Sequence, residues 1–419
     1  MVEPLFKVVT IEKSLQLFYQ SFDLKSFFKN RSEQVEIINV FGRILAEEII
    51  SNENIPGFNR STMDGYAVKA SDTFGASDGL PAYLDVVGEI KMSEKPTFEL
   101  KSGQAARIST GGMLPDGSDA VVMIEYTENL SAEMIEISRS VARWENVLRE
   151  DEDIKRNETI FMKGHKLRPQ DIGLLAALGY EKINVFKKPV VAIISTGDEI
   201  VSIQSTPKPG QVRDINTFSL GAAIEQIGCI PFYIGIIPDE EKILEKELYK
   251  CLDSKKIDLV LISGGSSVGV RDYTLKVLNN LGKPGILVHG IALKPGKPTI
   301  ISLNKQKLFI GLPGHPVSAM MVFDNVVRKI IYALKGEIVH LGDRKKIDAL
   351  LESNVFSDPG REEYIRVSLI NKDNQLWAVP ELGKSGMISS LARADGYITI
   401  NLNSEGLYQG QKVTVTLFE

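Results

Sequence analysis

Four short polar segments between residues 188 and 336 each follow an apolar run and carry side chains that can bind ions. Residues 195–199 read STGDE, and their adjacent carboxylates can hold a hard cation through oxygen ligands or simply cap the next turn. Residues 263–269 read SGGSSVG, where glycines let an anion approach the backbone amides. The alternative for this second segment is a tight turn between a strand and a helix.

The other two segments favour contact with anions. Residues 294–298 read KPGKP, and their prolines stiffen the turn so that the ammonium groups of Lys294 and Lys297 lie near one place. This arrangement favours a polyanionic ligand over a solvated surface turn. Residues 312–316 read LPGHP, in which Pro316 suits the first turn of a helix whose free amides attract anions. His315 can titrate there, although support of a neighbouring group is its more ordinary role.

The glycine-rich segment also matches the G-x-S-x-G pattern of serine hydrolases, with Ser267 in the nucleophile position. A catalytic triad would then need an acid and a base later in the chain, for example Asp324 and His340. Asp324 lies inside a helical pattern rather than at the end of a strand, which makes the hydrolase reading weak.

Two further segments stand out in an earlier, strand-rich part of the chain. Residues 64–67 read DGYA and residues 107–112 read RISTGG. Each is compatible with an ordinary turn when it is considered alone.

Composition excludes several classes of protein. The 419 residues include 49 Lys and Arg against 54 Asp and Glu, and the net charge of −5 argues against a broad nucleic-acid-binding face. The apolar runs are much shorter than the roughly 18 residues that cross a bilayer, and the charged N-terminus does not resemble a signal peptide. Cys229 and Cys251 form no C-x-x-C pair, so we expect buried thiols rather than disulfides or a zinc site. These features predict a multidomain cytoplasmic protein.

Residues 188–336 alternate between strand-like and helical patterns. Apolar, β-branched runs at 190–195, 230–237, 259–263 and 286–291 show no alternation, as in strands that are buried on both faces. Helical patterns separate or follow them, at 216–228, 239–252, 272–281 and 316–334. This order predicts a doubly wound, mainly parallel α/β domain that binds its ligands at the carboxyl ends of the strands.

The flanking regions predict three further domains, so the whole chain is expected to be an α/β multidomain protein. Residues 46–149 contain short strand-like runs and no long helical pattern, which predicts an inserted β domain. Residues 1–45 and 150–187 contain helical patterns at 10–22 and 169–179 and are expected to form one discontinuous, small helical elongated domain. Residues 337–419 return to strand-like patterns and predict a C-terminal β-barrel.

Taken in order, the six segments resemble those of the molybdopterin molybdenumtransferase family, of the MoeA and gephyrin E-domain type. The resemblance covers roughly residues 5–419. It implies the last step of molybdenum cofactor assembly, in which molybdate enters the dithiolene of adenylylated molybdopterin and AMP leaves with the help of Mg²⁺. It also implies an elongated homodimer in which the inserted domain of one copy faces the α/β domain of the other. A transient contact with the molybdopterin adenylyltransferase is compatible with it, whereas nucleic acid and membrane partners are not expected.

The resemblance assigns roles to individual residues. The catalytic candidates are Asp64, Asp272, Lys294 and Lys297. The metal-binding candidates are Glu199 and Asp214, although which carboxylate holds metal and which binds pterin stays open. The substrate-binding candidates are Thr110, Ser263, Gly264, Gly265, Ser267, Pro313, Pro316, Arg366 and Ser385.

Three positions depart from the family's pattern. Asp151 stands where the family commonly has glycine, and Gly290 stands where some members have a further lysine. His315 occupies a position where asparagine or an aromatic residue is frequent. The preference between molybdate and tungstate stays open, because both are tetrahedral dianions of similar size.

Two other functions remain as alternatives to the transferase. An adenylyltransferase acting one step earlier has a similar α/β domain but needs neither an insert nor a barrel, and it would release pyrophosphate from ATP. A non-enzymatic clustering scaffold, a role that the gephyrin E domain also has, would require no turnover.

Overall fold

The computed structural model describes residues 8–264, 273–337 and 344–418. The chain divides into two compact units. One contains the chain up to Ala46, the segment Gly164–Ile172 and the chain from Glu181 onward, and the other contains Glu47–Lys163 and Gly173–Tyr180.

A six-stranded sheet forms the centre of the first unit. Its strands are β1 (Val190–Thr196), β2 (Ile230–Ile237), β3 (Leu259–Ser263), β4 (Pro284–His289), β5 (Ile300–Asn304) and β6 (Lys307–Leu312). They lie in the order β2-β1-β3-β6-β5-β4. The first four are parallel, whereas β5 runs antiparallel to β6 and to β4. The prediction of a mainly parallel α/β domain is therefore confirmed.

Helices cover both faces of this sheet, as the doubly wound architecture requires. They are α1 (Asn216–Gln226), α2 (Glu241–Asp253), α3 (Tyr273–Asn280), α4 (Pro316–Val322) and α5 (Arg328–Lys335). Along β1, Val191 and Ile193 pack in one apolar cluster with α1 and α5, while Ala192 and Ile194 pack in another with α2 and α3. Burial of both faces explains why the strand carries an unbroken apolar run.

Three details of this domain differ from the sequence prediction. The hairpin β5–β6 was not predicted, and the run at 286–291 forms β4, which begins and ends two residues earlier and belongs to an antiparallel pair. A buried antiparallel strand shows the same unbroken apolar pattern as a parallel one, so the pattern does not distinguish them. The predicted helix at 316–334 is interrupted by one π-helical turn, Phe323–Val327, between α4 and α5.

The N-terminal part of this unit confirms the first predicted helix. It spans Ile11–Ser21, with Thr10 accepting a hydrogen bond from the amide of Lys13 at its start, and the short helix Leu24–Phe28 follows. Strand Ser32–Glu36 pairs with Lys182–Phe186, so segments that precede and follow residues 47–163 meet in one ladder. Phe18 is fully buried in the cluster that also contains Val191.

A closed five-stranded barrel forms the C-terminal part of the unit, as predicted. Its strands, in order around the barrel, are Glu362–Lys372, Gln375–Pro380, Lys346–Leu351, Lys412–Leu417 and Gly396–Ile400, and the last pairs with the first. The short strands Val355–Phe356 and Gly406–Leu407 pair beside it, and the short helix Ile388–Arg393, which the sequence did not predict, lies between two barrel strands.

The second unit is built on a six-stranded sheet. Its strands, in spatial order, are Ala120–Met123, Gly65–Val68, Gln104–Ile108, Ala82–Ile90, Met134–Ile137 and Thr127–Asn129. Two separate two-stranded sheets also belong to this unit. In one, Arg60–Ser61 pairs with Val147–Leu148, and in the other, Ile49–Ile50 pairs with Thr159–Phe161. An inserted β domain is thus confirmed.

The structure contains, within the ranges it describes, no helix that is both long enough and apolar enough to cross a membrane.

We predict that Asp171, at the start of helix Pro169–Ala177, makes the stability of the protein depend on pH in acid. Its carboxylate is 3% exposed and accepts hydrogen bonds from Arg168 and His165. Burial alone would raise the pKa of Asp171, but these bonds lower it to about 2. The unfolded carboxyl has the higher pKa, so this stabilisation is complete above about pH 5 and is lost progressively as the pH falls towards 2. Urea unfolding should show Asp171→Asn less stable than wild type by about 2 kcal/mol at pH 7, the difference shrinking below about pH 5. A constant difference from pH 7 to pH 3 would contradict this assignment.

Candidate functional site

A cavity of about 990 Å³ lies in the first unit at the carboxyl ends of β1, β3 and β6. Loops that follow these strands form part of its wall, and the remainder comes from the loop after β2, from α1, from residues 294–298 (the lysine turn) and from the barrel region. The charged lining residues are Glu199, Arg213, Asp214, Asp239, Lys294, Lys297 and Arg361, with His315 as a further titratable group.

Short backbone ladders position the carboxylates of Glu199 and Asp214. Strand Ile200–Val201 pairs in parallel with Val212–Arg213, the amide of Val212 donates to the carbonyl of Glu199, and the amide of Asp214 donates to that of Val201. One oxygen of Asp214 accepts hydrogen bonds from Ser195 Oγ (2.9 Å) and from the amide of Thr217 (3.1 Å). Both carboxylates therefore reach the same cavity from adjacent segments.

A third carboxylate in the wall, that of Asp239, was missed in the sequence. Thr196 Oγ1 donates a hydrogen bond to it, and the amide of Asp239 donates to Asp198 Oδ1 at 3.1 Å. Asp239 follows β2 in the same way that Glu199 follows β1. The rule that polar residues at the ends of strands bind ligands would therefore have found it.

The lysine turn reaches the cavity because the barrel holds it. Leu293–Lys294 forms a short parallel pairing with the start of strand Glu362–Lys372. Lys294 Nζ lies 3.1 Å from Glu363 Oε2 and 3.7 Å from Asp358 Oδ2. Lys294 and Lys297 both line the cavity. Arg361, which was not predicted from the sequence, precedes the same barrel strand and is a further cation in the wall beside the two lysines and Arg213.

Gly264 allows the loop after β3 to lie against the end of β1. Its φ angle is +109°, and a Cβ atom at this position would lie 2.1 Å from the carbonyl oxygen of Thr196. Its amide donates to the carbonyl of Leu312 at 3.2 Å, which joins the loops after β3 and β6. The chain at this point accommodates only glycine.

Asn216 joins the start of α1 to two of these loops. Its Nδ2 atom donates to Ser263 Oγ at 2.6 Å and to the carbonyl of Gly314 at 2.8 Å. Ser263 is 1% exposed and lies behind the cavity wall, so it supports the wall through Asn216. From the sequence, residue 216 was predicted only as the start of a helix.

We predict that Asn216→Ala lowers the free energy of unfolding by about 1–3 kcal/mol, because two buried acceptors lose their donor. Urea denaturation followed by circular dichroism measures this difference. Asn280→Ala, at an exposed position near the end of α3, is the matched control and should change the free energy by less than about 0.5 kcal/mol. Equal stability of the two variants would show that Asn216 does not hold these loops.

His315 and Ser385 meet at the rim of the cavity. His315 Nδ1 lies 2.8 Å from Ser385 Oγ, and the amide of Val317 donates to the carbonyl of Ser385 at 3.2 Å. Pro313, Pro316 and Ser385 also line the cavity. These contacts tie the start of α4 to the loop that precedes helix Ile388–Arg393.

Arg366 is placed differently from the neighbouring candidates. It is 6% exposed and is not among the residues that line the cavity. Its Nη2 atom donates to the carbonyls of Gly383 (3.0 Å) and Glu381 (3.3 Å). In this structure Arg366 therefore holds the loop that leads to Ser385.

Asp64 and Thr110 lie together in the second unit. Asp64 Oδ1 accepts hydrogen bonds from the amide of Thr110 at 2.7 Å and from its hydroxyl at 3.1 Å. Both residues are exposed. The segments 64–67 and 107–112 are thus brought together because the strands Gly65–Val68 and Gln104–Ile108, which contain part of each segment, pair with each other.

Gly265, Ser267 and Asp272, together with His340, lie outside the described residues. Asp324 lies in the π-helical turn, where it is paired with Arg328 (3.0 Å) and Arg344 (2.7 Å) and does not line the large cavity. These two ion pairs occupy the carboxylate that a hydrolase triad would need to orient an imidazole.

The carboxylate oxygens in the cavity wall can hold a hard cation only together with oxygen ligands from a bound substrate. Glu199, Asp214 and Asp239 supply carboxylate oxygens, which Mg²⁺ prefers. No group of three or more His, Cys, Asp or Glu side chains within the described ranges is arranged to hold a metal ion by itself. Mg²⁺ commonly completes its coordination with substrate phosphates and water, so the residues present fit it in that manner.

Three family models match successive parts of the chain. They are the MoeA N-terminal region (domain I and II) over residues 9–179, a probable molybdopterin binding domain over 192–333, and the MoeA C-terminal region (domain IV) over 348–418. The N- and C-terminal matches lie outside the α/β domain, which is all that an adenylyltransferase would need. The comparison therefore supports the transferase reading and not that alternative.

Relatives match over almost the whole chain. The molybdopterin molybdenumtransferases of Haemophilus influenzae and Bacillus subtilis are each 32% identical over 93% of this chain, and the matches cover 95% and 90% of those proteins. Two crystal structures of molybdopterin biosynthesis MoeA proteins from Pyrococcus horikoshii superpose with TM-scores of 0.81 and 0.80, at 39% and 31% identity. They cover 99% and 98% of this chain and 100% of their own chains. The chain therefore belongs to the MoeA family of molybdopterin biosynthesis proteins.

Proposed function

We propose that this chain is a molybdopterin molybdenumtransferase, which inserts molybdate into adenylylated molybdopterin and releases AMP. The observation that carries the proposal is the 990 Å³ cavity of a MoeA-family chain, in which carboxylates and cations line the same wall. Its volume lies in the range of roughly 300–1,000 Å³ that is usual for small-molecule sites. It is therefore large enough for a pterin nucleotide.

The cations counter the charge of the substrates. Adenylylated molybdopterin carries a phosphoanhydride and molybdate is a dianion, so the two repel each other as they approach. Lys294, Lys297 and Arg361 reduce this repulsion, and the contact with Glu363 holds the ammonium of Lys294 in place. A molybdate or water oxygen then attacks the adenylyl phosphorus and the P–O bond of the phosphoanhydride breaks, so that the phosphate of molybdopterin keeps the bridging oxygen and AMP leaves with the attacking oxygen.

We propose Mg²⁺ as the cation that the carboxylates require. Glu199, Asp214 and Asp239 would repel an anionic substrate unless a cation lay between them. Bound Mg²⁺ supplies Lewis-acid polarisation of phosphate oxygens. The chain itself orients two of these carboxylates, through the Ile200–Val201 ladder and through the hydrogen bonds from Ser195 and Thr217 to Asp214.

We propose a cytoplasmic homodimer in which Asp64 and Thr110 also contribute to substrate binding, with transient contact to the adenylyltransferase that supplies the substrate. Light scattering of the purified chain measures the oligomeric state, and a monomer at all concentrations would contradict the dimer.

We predict that removal of divalent cations stops turnover. After treatment with EDTA and desalting, AMP release from adenylylated molybdopterin and molybdate should fall at least about 100-fold, the loss expected when charge stabilisation is withdrawn from a buried site. Added Mg²⁺ should restore it, and circular dichroism should show an unchanged fold. Full activity in the metal-free protein would contradict the role of Mg²⁺ without contradicting the transferase assignment.

A further inference from the structure

His315 and Ser385 form a contact at the rim of the 990 Å³ cavity to which the proposed reaction assigns no role. His315 Nδ1 lies 2.8 Å from Ser385 Oγ, and both residues line the cavity. His315 is exposed and Ser385 is half-buried. The imidazole can therefore exchange protons with solvent, and the hydroxyl lies where a ligand in the cavity can meet it.

Main-chain contacts hold the two side chains side by side. The amide of Val317, two residues after His315, donates to the carbonyl of Ser385 at 3.2 Å. A Cβ atom at Gly386 would lie 4.0 Å from Cδ2 of the imidazole, so the loop passes directly beside the ring. The separation of the two side chains is thus set by the backbone as well as by their own hydrogen bond.

The direction of this hydrogen bond depends on the protonation state of the imidazole. In a neutral ring Nδ1 accepts or donates according to the tautomer, whereas in a protonated ring it can only donate. When Nδ1 accepts, the hydroxyl hydrogen of Ser385 points at the ring. When Nδ1 donates, Ser385 Oγ accepts, and its own hydrogen can turn into the cavity. Protonation of His315 therefore makes this serine a donor for a bound oxyanion.

The charges near His315 lie on other elements, because residues 312–322 contain no further charged side chain. Cations on the described elements oppose protonation of the ring, and carboxylates favour it. The cations are Arg213, Lys294, Lys297 and Arg361 in the cavity wall and Lys384 beside Ser385. The carboxylates are Glu199, Asp214 and Asp239 in the wall and Glu381 in the loop before Ser385. A bound oxyanion adds negative charge, so its binding and the protonation of His315 strengthen each other.

We propose that His315 is a positioning residue that turns the hydroxyl of Ser385 towards bound molybdate, so that the cavity holds this oxyanion more tightly when the imidazole is protonated. Histidine changes its charge between pH 5 and 8, whereas the asparagine or aromatic residue that the family pattern frequently has at this position does not. The inference rests on the proposed function, because it takes this cavity to be the molybdate site.

Isothermal titration calorimetry with sodium sulfate, at fixed ionic strength and between about pH 5.5 and pH 8, tests the proposal without turnover. Sulfate is a tetrahedral dianion like molybdate, and its charge is constant over this range. Wild-type protein should bind sulfate about tenfold more tightly at the lower pH, and buffers with different heats of ionisation should reveal proton uptake on binding. Equal affinity at both pH values would overturn the proposal.

Two variants separate the imidazole from the hydroxyl. His315→Asn changes an exposed side chain, and its affinity for sulfate should differ by less than about twofold between the two pH values. Ser385→Ala keeps the imidazole, and it should bind sulfate at least about fivefold more weakly than wild type at the lower pH and by much less at pH 8. Wild-type pH dependence in His315→Asn, or wild-type affinity of Ser385→Ala at the lower pH, would overturn the proposal.

Lys297→Gln is the matched control, because it removes a charge from the cavity and keeps both His315 and Ser385. It should weaken sulfate binding by a similar factor at both pH values, which leaves the pH dependence as in wild type. Unchanged binding in Lys297→Gln would place the sulfate outside the cavity and overturn the proposal. Sulfate binding with the expected pH dependence, in a protein that releases no AMP, would contradict the proposed function and not the role of His315.

Discussion

Lys294→Ala is expected to slow the release of AMP by about 10²–10³-fold, the usual effect of removing one group that stabilises charge in a transition state. Lys294 lines the cavity and is held there by Glu363, so its charge is positioned before the substrate arrives. A rate measured at saturating molybdate and adenylylated molybdopterin gives the effect directly. Wild-type turnover in this variant would rule out a role for the lysine turn.

Two controls separate this effect from a loss of stability. Removal of Lys294 leaves Glu363, which is 7% exposed, without its ammonium partner, although Ser357 Oγ still donates to it at 2.6 Å. The double variant Lys294→Ala/Glu363→Gln removes that unbalanced charge and should fold as well as wild type while remaining slow. Lys276→Ala removes an exposed lysine that pairs with Glu241 and should turn over at the wild-type rate.

Gly264→Ala is expected to have an effect of similar size for a steric reason. The new Cβ would lie 2.1 Å from the carbonyl oxygen of Thr196 in a backbone conformation with φ of +109°, so the loop after β3 must move. We expect a loss of about 2–4 kcal/mol of unfolding free energy and at least about 100-fold in AMP release. Urea denaturation and the turnover assay measure the two quantities.

Gly235→Ala is the matched control for the backbone conformation. Gly235, in β2, has nearly the same φ angle, +108°, but no atom lies within 4 Å of the Cβ that alanine would add. This variant should therefore lose only about 1–2 kcal/mol of unfolding free energy, the cost of alanine at a positive φ angle, and its turnover should be unchanged. Equal loss of turnover in both variants would show that the close approach of Gly264 to Thr196 has no special importance.

Much of the fold could be predicted because local patterns and burial agree. The unbroken apolar runs of β1, β2 and β3 predicted strands buried on both faces, and β2 and β3 begin and end at the predicted residues. The part that was not predicted is a hairpin whose strands are joined by a short turn with a weak sequence signal. The hairpin β5–β6 reverses at Lys305 and Gln306, two residues with positive φ angles that give a weaker signal than glycine.

The residues of the candidate site also divide into those that could be predicted from the sequence and those that could not. Residues that follow predicted strands, such as Glu199 and Gly264, could be placed at the carboxyl edge of the sheet from sequence alone, and the structure puts both in the cavity wall. Arg361 and Asn216 could not, because their positions depend on contacts between segments that are distant in sequence. Arg366 was a candidate from the family resemblance, but it does not line the cavity. A motif match identifies a residue and does not determine the direction of its side chain.

The amount of molybdenum transferred for each AMP released tests the central claim most directly. Purified protein is mixed with adenylylated molybdopterin, molybdate and Mg²⁺, and AMP and dithiolene-bound molybdenum are quantified in the same sample. The proposed function predicts equal amounts of the two, with no AMP formed by Lys294→Ala on the same time scale. AMP released without incorporation of molybdenum, or pyrophosphate formed from ATP and molybdopterin, would contradict it.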